Sequence, residues 1–500
     1  MIFNSTDISD MDEKFIDRLT LEESHQLIRI LVAQAKEQMD RLNQNSRNSS
    51  KPPSQDPPWS KSKNPLKEGA HESSEEAKRA NANKSTKSKK PGKQPGSQGY
   101  GRTIEVPITD TKHHAPCQCA ACGTPFDDNT PRLAINGHYT LDIVTSSELL
   151  GLAVTHVKHI YYQVTCDCGQ TTSALPTSAQ DEEDWSIKIT EWHLCGPMLI
   201  ALIVCLSKRY HLSRNKIQEF LEDWLGIHLS KGVINKSLLE AGRSAEPLEE
   251  KLIDDIKRSD MIHIDETSWK EFSNKRWLWV FATNTVCLFL IGARTKAIAQ
   301  KILDVFSGTV MSDGYNAYRH FKDRLRCWAH LERKLNGLFE SRDKTAQAFG
   351  LKGLDVFERL KKAIKAAREG PDIAISAQYA DLLTQFKVTC REYSECSHPK
   401  TQALAKEFLN DWEAIWRVLS DVHLPMTNNE AERLLRHWVI NRQISFGTRN
   451  HQGSRALSLL ASVIETCRLR KVSPWKYLAE VITARRKNLP VPPLPVATPL

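Results

Sequence analysis

Apolar positions recur with three different periods along this 500-residue chain, and the changes of period divide it. From Thr20 to about Gln44 the period is helical: Thr20 and Glu23 have capping-box spacing, and Ile28, Leu31, Ala35 and Leu42 fall at a/d positions, with Gln38 interrupting. So few heptads fit either a short self-associating coiled coil or a single amphipathic helix packed on its own protein. Residues 46–103 have no apolar period and are rich in Ser, Lys, Asn, Pro and Gly, which predicts a disordered linker. Alternating apolar sequence, including Leu149, Leu150 and Val154, then predicts a hairpin between two groups of cysteines.

Residues 186–250 read as helices throughout. Ser213 caps one helix, Gly226 ends it, and Ser230 caps the next, Lys231 to Ala241. Helix, glycine-containing turn and second helix is the arrangement that lays a recognition helix in the major groove, although many helical pairs share it. From Asp260 the period changes to strands: Met261 to Asp265, Trp277 to Ala282, and Val286 to Ile291 after a Thr283-Asn284-Thr285 turn. An amphipathic helix follows from Thr295 to Phe306, then strands at Thr309 to Asp313 and Leu325 to Trp328. Hairpin strands followed by a helix crossing to further strands predict a mixed sheet with helices on its faces. Residues 331–425, which carry Trp412 and Trp416, are helical again and interrupt the sheet unit.

Charge changes this picture in one place. The net charge is +9, and between Asn43 and Thr103 thirteen Lys/Arg stand against five Asp/Glu, so this stretch alone carries +8. A polyanion is its natural partner, with a merely solvated linker as the alternative. Lys89 and Lys90 sit in its densest basic run. The longest apolar run, Met198 to Leu206, is too short to span a bilayer, and no secretory h-region is present, so a cytoplasmic protein without a membrane partner is expected.

The cysteines add a candidate metal centre. Cys117-x-Cys119-x-x-Cys122-Gly and Cys166-x-Cys168-Gly are two knuckles joined by hairpin-like sequence. Cys119, Cys122, Cys166 and Cys168 are the expected ligands of a structural Zn²⁺ in a small ribbon, with Cys117 or His114 as a substitute.

Three acids carry the candidate chemistry. Asp265 and Asp313 close buried strands, and Glu432 lies in Thr427-Asn428-Asn429-Glu430-Ala431-Glu432-Arg433 at the start of a helix. A carboxylate at the end of a buried strand is costly unless a cation meets it, and two such strands with an acid on a helix can hold a pair of magnesium ions. Glu266 points to the opposite sheet face from Asp265. Glu430 stands at capping-box spacing from Thr427, which leaves Glu432, about 200 degrees further round the helix, to face the metals.

These residues carry a family resemblance. His263-Ile264-Asp265-Glu266-Thr267, Ser312-Asp313-Gly314-Tyr315, Cys327-Trp328-Ala329-His330 and Asn428-Asn429-Glu430-Ala431-Glu432-Arg433 resemble the insertion-sequence-66 transposases, a branch of the DDE transposases. So do His437-Trp438-Val439-Ile440, Ser445-Phe446-Gly447-Thr448 and Pro474-Trp475-Lys476-Tyr477-Leu478. The resemblance implies a ribonuclease-H-like core and catalytic Asp265, Asp313 and Glu432, which bind Mg²⁺ or Mn²⁺. It implies cleavage of element ends and strand transfer by in-line displacement without a covalent intermediate. Arg442-Gln443 departs from the Arg-Lys of many relatives. Arg433 and Arg442 are candidates to hold flanking phosphates or to form surface ion pairs, and Lys231 would sit on the recognition helix. Cys327 and His330 have spacing that could ligate a metal, but two ligands are not a site, so strand-to-helix packing or a contact to flanking DNA is the expectation.

The organisation expected is multidomain α/β: an N-terminal helix (1–45), disordered basic linker (46–103), zinc ribbon (104–180) and helix-turn-helix-like DNA-binding unit (185–255). A ribonuclease-H-like catalytic unit (256–470) with helical insertion 331–425 and a C-terminal helix and tail (471–500) complete it. Expected partners are terminal inverted repeats, target DNA, further copies of the chain on DNA, and small accessory proteins of the same element. The competing reading is a catalytically inactive DNA-binding regulator descended from a transposase.

Overall fold

The computed structural model describes residues 19–42, 44, 48, 106–146, 151–179, 185–370 and 375–496. Lys89, Lys90 and, apart from Asn48, the linker 46–103 lie outside the described residues.

Helix α1 (Leu21–Leu42) begins at the expected box: Glu23 N–H donates to Thr20 Oγ1 at 3.3 Å, and Thr20 N–H donates to Glu23 Oε2 at 3.0 Å. The helix rests on its own protein through buried Leu27 and through Asp40, which accepts from Ser341 Oγ at 2.6 Å. Ile28, Leu31 and Leu42 of the a/d seam remain exposed.

Strands β1 (Asp110–His114), β2 (Leu133–Ser146), β3 (Gly151–Thr165) and β4 (Thr171–Ser173) form the first sheet. β2 and β3 are a long antiparallel hairpin, with β1 parallel to β3 on its other side. Leu133 pairs with Gln163, so the start of β2 and the end of β3 lie at the same end of the hairpin. That register brings the two cysteine knuckles together.

Helices α2 (Pro197–Lys208), α3 (Arg214–Leu225), α4 (Lys231–Ser244) and α5 (Leu248–Lys257) follow. Ser213 accepts from Lys216 N–H and Ser230 from Val233 N–H, and Gly226 ends α3 at φ 62°, a left-handed cap that glycine adopts without steric cost. The helix-turn-helix pattern is therefore formed, but α4 is no free recognition helix. Ser237, Leu238, Glu240, Ala241, Gly242, Arg243 and Ser244 are all buried, while its exposed positions include Lys231 and Lys236 in the first two turns.

The second sheet holds β5 (Met261–Glu271), β6 (Asn274–Ala282), β7 (Cys287–Gly292), β8 (Thr309–Ser312) and β9 (Arg324–Arg326), with α6 (Lys296–Leu303) crossing between β7 and β8. Its order is β7-β6-β5-β8-β9, antiparallel on one side of β5 and parallel on the other. The expected mixed sheet is present. β5, however, runs six residues beyond Asp265, because its antiparallel pairing with β6 continues to Glu271 after the parallel pairing with β8 ends at His263. Asp265 thus stands where one neighbour strand stops.

Helices α7 (Trp328–Phe339), α8 (Lys344–Glu369), α9 (Ala380–Tyr393), α10 (Pro399–Asn410) and α11 (Trp412–Trp416) build the insertion around its own core of Trp328, Phe349, Phe357, Phe408 and Trp416. Its neck is tied: Trp328 N–H donates to Met426 O at 2.8 Å, and Asn428 N–H donates to Cys327 Sγ at 3.3 Å. Helices α12 (Asn429–Ser445), α13 (His451–Leu469) and α14 (Pro474–Arg486) complete the chain.

Two cores sandwich the sheet. On one face Leu278, Val280 and Phe289 meet Ala431, Leu434 and Trp438 of α12. On the other, Ile262, Ile264, Trp279 and Phe281 share a core with residues of α2 to α6, α14 and the hairpin residues Leu141 and Ile143. The helices of 185–255 are therefore packed in one continuous core with the sheet. A Cβ on Gly242 of α4 would stand 2.4 Å from the Ala456 Cβ of α13. Gly242→Ala should cost about 1–3 kcal/mol by overpacking, read as a lowered denaturation midpoint, while Lys236→Ala leaves the midpoint unchanged.

Candidate active site

Strand alternation sorts the acids of β5. Asp265 pairs with Val280, which faces α12, and Glu266 pairs with Trp279, which faces the opposite core. Glu266 is taken up on that side: Arg294 donates to it through Nε at 2.9 Å and Nη2 at 2.7 Å, and Tyr318 Oη donates at 2.5 Å. Burial and the neighbouring Asp313 nevertheless push its carboxyl up to about 7.

One residue joins the central strand to the helix bearing the third acid. Asn428, fully buried just before α12, donates through Nδ2 to Ile264 O at 2.8 Å, and its Oδ1 lies 3.0 Å from His263 Nδ1. The residues flanking Asp265 on one side and Glu432 on the other are thereby held at fixed separation. The expected capping box does not form, because Glu430 pairs with Arg433 one turn on and no side chain caps α12. Glu430 is therefore not set aside as a cap, and Glu432 is distinguished instead by its buried Oε1.

Asp313, just past β8, accepts from Tyr315 N–H at 2.9 Å and lines an open cleft with Asp265, Glu266, Arg294, Arg319, His330, Lys334 and Lys406. Glu432 reaches the same region from α12, with His330 Nε2 and Arg333 Nη2 each 3.7 Å from its carboxylate. Its Oε1 is buried without a hydrogen-bond partner. Burial, and then Asp313, Glu266 and Glu432, drive the Asp265 carboxyl well above the usual carboxylate range. Among the described residues neither Asp265 nor Asp313 forms an ion pair.

Asp265 and Asp313 thus lack a cationic partner among the described residues, and the donors here are carboxylate oxygens, the ligands that Mg²⁺ and Mn²⁺ take. The three acids do not all come within 4.8 Å of one another. A two-ion arrangement spreads its ligands over ions about 4 Å apart and does not require that they do.

The other predicted site residues fall as follows. The sulfurs of Cys119, Cys122, Cys166 and Cys168 all lie within 4.8 Å of one another, and the 119–168 and 122–166 pairs are each 3.6 Å apart. A tetrahedron of Zn–S bonds has edges of ~3.8 Å, so the donor set and its size fit zinc. Cys117 stands outside the cluster, and His114 instead lies 3.0 Å from His159 through their ring nitrogens. Arg442 uses Nη1 to donate to Thr267 Oγ1 at 2.9 Å and to Ser268 Oγ at 3.0 Å, pinning α12 to the outer half of β5. Arg433 is exposed beside Glu430, and Lys231 is exposed at the start of α4.

Sequence reasoning missed Asn428, the Glu266–Arg294–Tyr318 group, and the meeting of His330 with Glu432. It also missed Lys334 and Glu407, which the insertion contributes to the cleft. Only Asn428 had a local signal, and that signal pointed to a helix cap.

The fold and site define a mixed α/β protein with a carboxylate-bearing cleft between the β5 and β8 side of its sheet and the helical insertion. The chain belongs to the transposase IS66 family, whose model matches residues 193–456 and so spans α2 to α12, the sheet and the insertion as one unit. It is similar to three uncharacterized proteins of Sinorhizobium fredii (strain NBRC 101917 / NGR234). For y4qI the identity is 23% over 297 residues, 53% of this chain and 55% of that one. For y4jD it is 22% over 57% and 61% of the two chains, and for y4hP 22% over 59% and 60%. The matches thus span less than two thirds of each relative's length.

The raised Asp265 carboxyl sets a stability prediction. The folded state holds this proton to higher pH than the unfolded chain, so its contribution is complete below the ordinary carboxylate range and is lost as pH rises through the raised value. Asp265→Asn removes that loss. In EDTA at neutral pH its melting temperature should exceed that of the wild type by about 2–4 °C per kcal/mol recovered.

Proposed function

We propose that this chain is an active DDE transposase that cleaves the ends of its element and joins them to target DNA. Transposase-family membership carries the class, and one observation supports activity: Asp265 and Asp313 line one cleft without an ion-pair partner among the described residues, and Glu432 stands near enough to raise the Asp265 carboxyl. The strand order supports a ribonuclease-H-like reading of the core, with the third strand at one edge, the first at the centre and the fifth at the other edge.

Asp265, Asp313 and Glu432 would hold two Mg²⁺ or Mn²⁺ ions. When bound, these supply the Lewis acidity for in-line displacement at phosphorus. Asn428 keeps strand and helix at working distance. Lys406, exposed on α10 at the cleft, together with Arg319 and Lys334, supplies positive charge for backbone phosphates. Arg433 and the first turns of α4 with Lys231 are further contact points. The basic segment containing Lys89 and Lys90 adds sequence-independent attraction. The exposed a/d seam of α1 suits pairing of copies on DNA, alongside accessory proteins of the element. No described helix is long and apolar enough to cross a membrane, which is compatible with a cytoplasmic, nucleoid-associated protein.

Purified protein should nick an oligonucleotide carrying the element's terminal repeat in Mg²⁺ or Mn²⁺. Asp265→Asn, Asp313→Asn and Glu432→Gln should each reduce cleavage by at least ~10³-fold with DNA binding kept, since every variant removes a metal ligand. Wild-type protein that binds the ends and never nicks them would make the chain a regulator. Protein purified without chelator should carry at least one equivalent of zinc per chain by atomic emission, and Cys119→Ser should lower the content by one equivalent. Metal-free protein would remove the ribbon assignment.

A further inference from the structure

A third ligand set lies beside the acids. Cys327 Sγ, a ring nitrogen of His330 and a carboxylate oxygen of Glu432 all stand within 4.8 Å of one another, a convergence shared among the described residues only by the cysteine quartet. Cys327 caps α7 and His330 lies three residues on, so both project from one side of the first turn. Glu432 comes from the first turn of α12, which the tied neck of the insertion holds against that same point.

The donor atoms are those that soft divalent ions take. Cys327 is fully buried, its sulfur accepts from Asn428 N–H at 3.3 Å, and the backbone amides of His330 and Ala329 also act on it. Burial outweighs these amides and holds the Cys327 thiol above its usual range, so a metal binding there displaces the thiol proton. His330 Nδ1 and Glu432 Oε1 are buried and without hydrogen-bond partners, and the 3.7 Å between His330 Nε2 and Glu432 Oε1 is too long to satisfy either residue. Two orphaned polar atoms next to a buried sulfur suit a bound ion. Sulfur, imidazole and carboxylate together suit Zn²⁺ or Co²⁺ and leave a fourth position open, whereas Mg²⁺ takes oxygen.

We propose that Cys327, His330 and Glu432 form a second cation site, for one thiophilic divalent ion of the zinc class, whose occupancy withdraws Glu432 from the magnesium-binding acids. The inhibitory consequence rests on the reading of Glu432 as a catalytic acid. The binding site itself does not.

The test uses full-length protein preloaded with one zinc equivalent and titrated with Co²⁺. Wild type should take a second equivalent that gives a near-ultraviolet thiolate-to-cobalt band. Cys327→Ser should lose the band, and His330→Ala and His330→Gln should weaken cobalt affinity at least ten-fold. Each variant should keep its first zinc equivalent and its melting transition, which shows that it has folded. Cleavage by wild type in Mg²⁺ should fall as the second equivalent fills. A wild type that cleaves DNA but takes up no second ion, or a second ion kept in both Cys327→Ser and His330→Ala, would overturn the site. Second-ion binding by a wild type that never cleaves would leave the site standing and sink the transposase reading instead.

Discussion

The structure is organised around a concentration of like charge. Asp265, Glu266, Asp313 and Glu432 meet near the centre of one sheet, where desolvation already disfavours an ionised carboxyl. The protein deals with them unequally. Glu266 receives Arg294 and Tyr318 on its own face of the sheet, and Glu432 has Arg333 and His330 only at the edge of reach. Asp265 receives no cation. Holding such a group there against repulsion demands rigid surroundings, and the rest of the fold supplies them: a five-stranded sheet with β5 at its middle, two apolar cores on its faces, and the Asn428 bridge to α12.

The insertion takes part in this balance. Arg324 and Arg326 of the edge strand β9 meet Asp411, just past α10, and Arg326 also meets Glu407, which pairs in turn with Lys334 of α7 at 2.7 Å. Arg326 and Asp411 are almost wholly buried, so losing one partner would leave an uncompensated charge inside the protein. Glu407 and Lys334 also line the cleft of Asp265 and Asp313, so the pairs that fasten the insertion to the sheet set the charge of its rim.

What could be read from the sequence was whatever local geometry decides. The Thr20–Glu23 box, the caps at Ser213 and Ser230, the stop at Gly226 and the opposite facing of Asp265 and Glu266 depend on neighbours a few residues away. The cysteine quartet was legible because ligand spacing and hairpin register share one cause. Errors fell where distant chain competes for a local group. Glu266, Thr267 and Ser268 look like the end of a strand, yet Arg294, Tyr318 and Arg442 satisfy their polar atoms and the strand continues. Glu430 has capping-box spacing but meets Arg433, and Asn428 has the composition of a cap yet turns to β5. Nor could periodicity reveal that Ser237 to Ser244 of α4 would be enclosed from several sides by helices far along the chain.

The closed neck at Cys327, Trp328, Met426 and Asn428 has an architectural consequence. A lobe fastened at its base transmits little of its own size to the scaffold it leaves, so the stretch between the second and third acids behaves as a graft. Lengthening, trimming or exchanging the outer helices would alter the surface that the lobe presents while the spacing of the acids stays as it is. Diversification within the family can then proceed in the lobe without moving the acids beneath it.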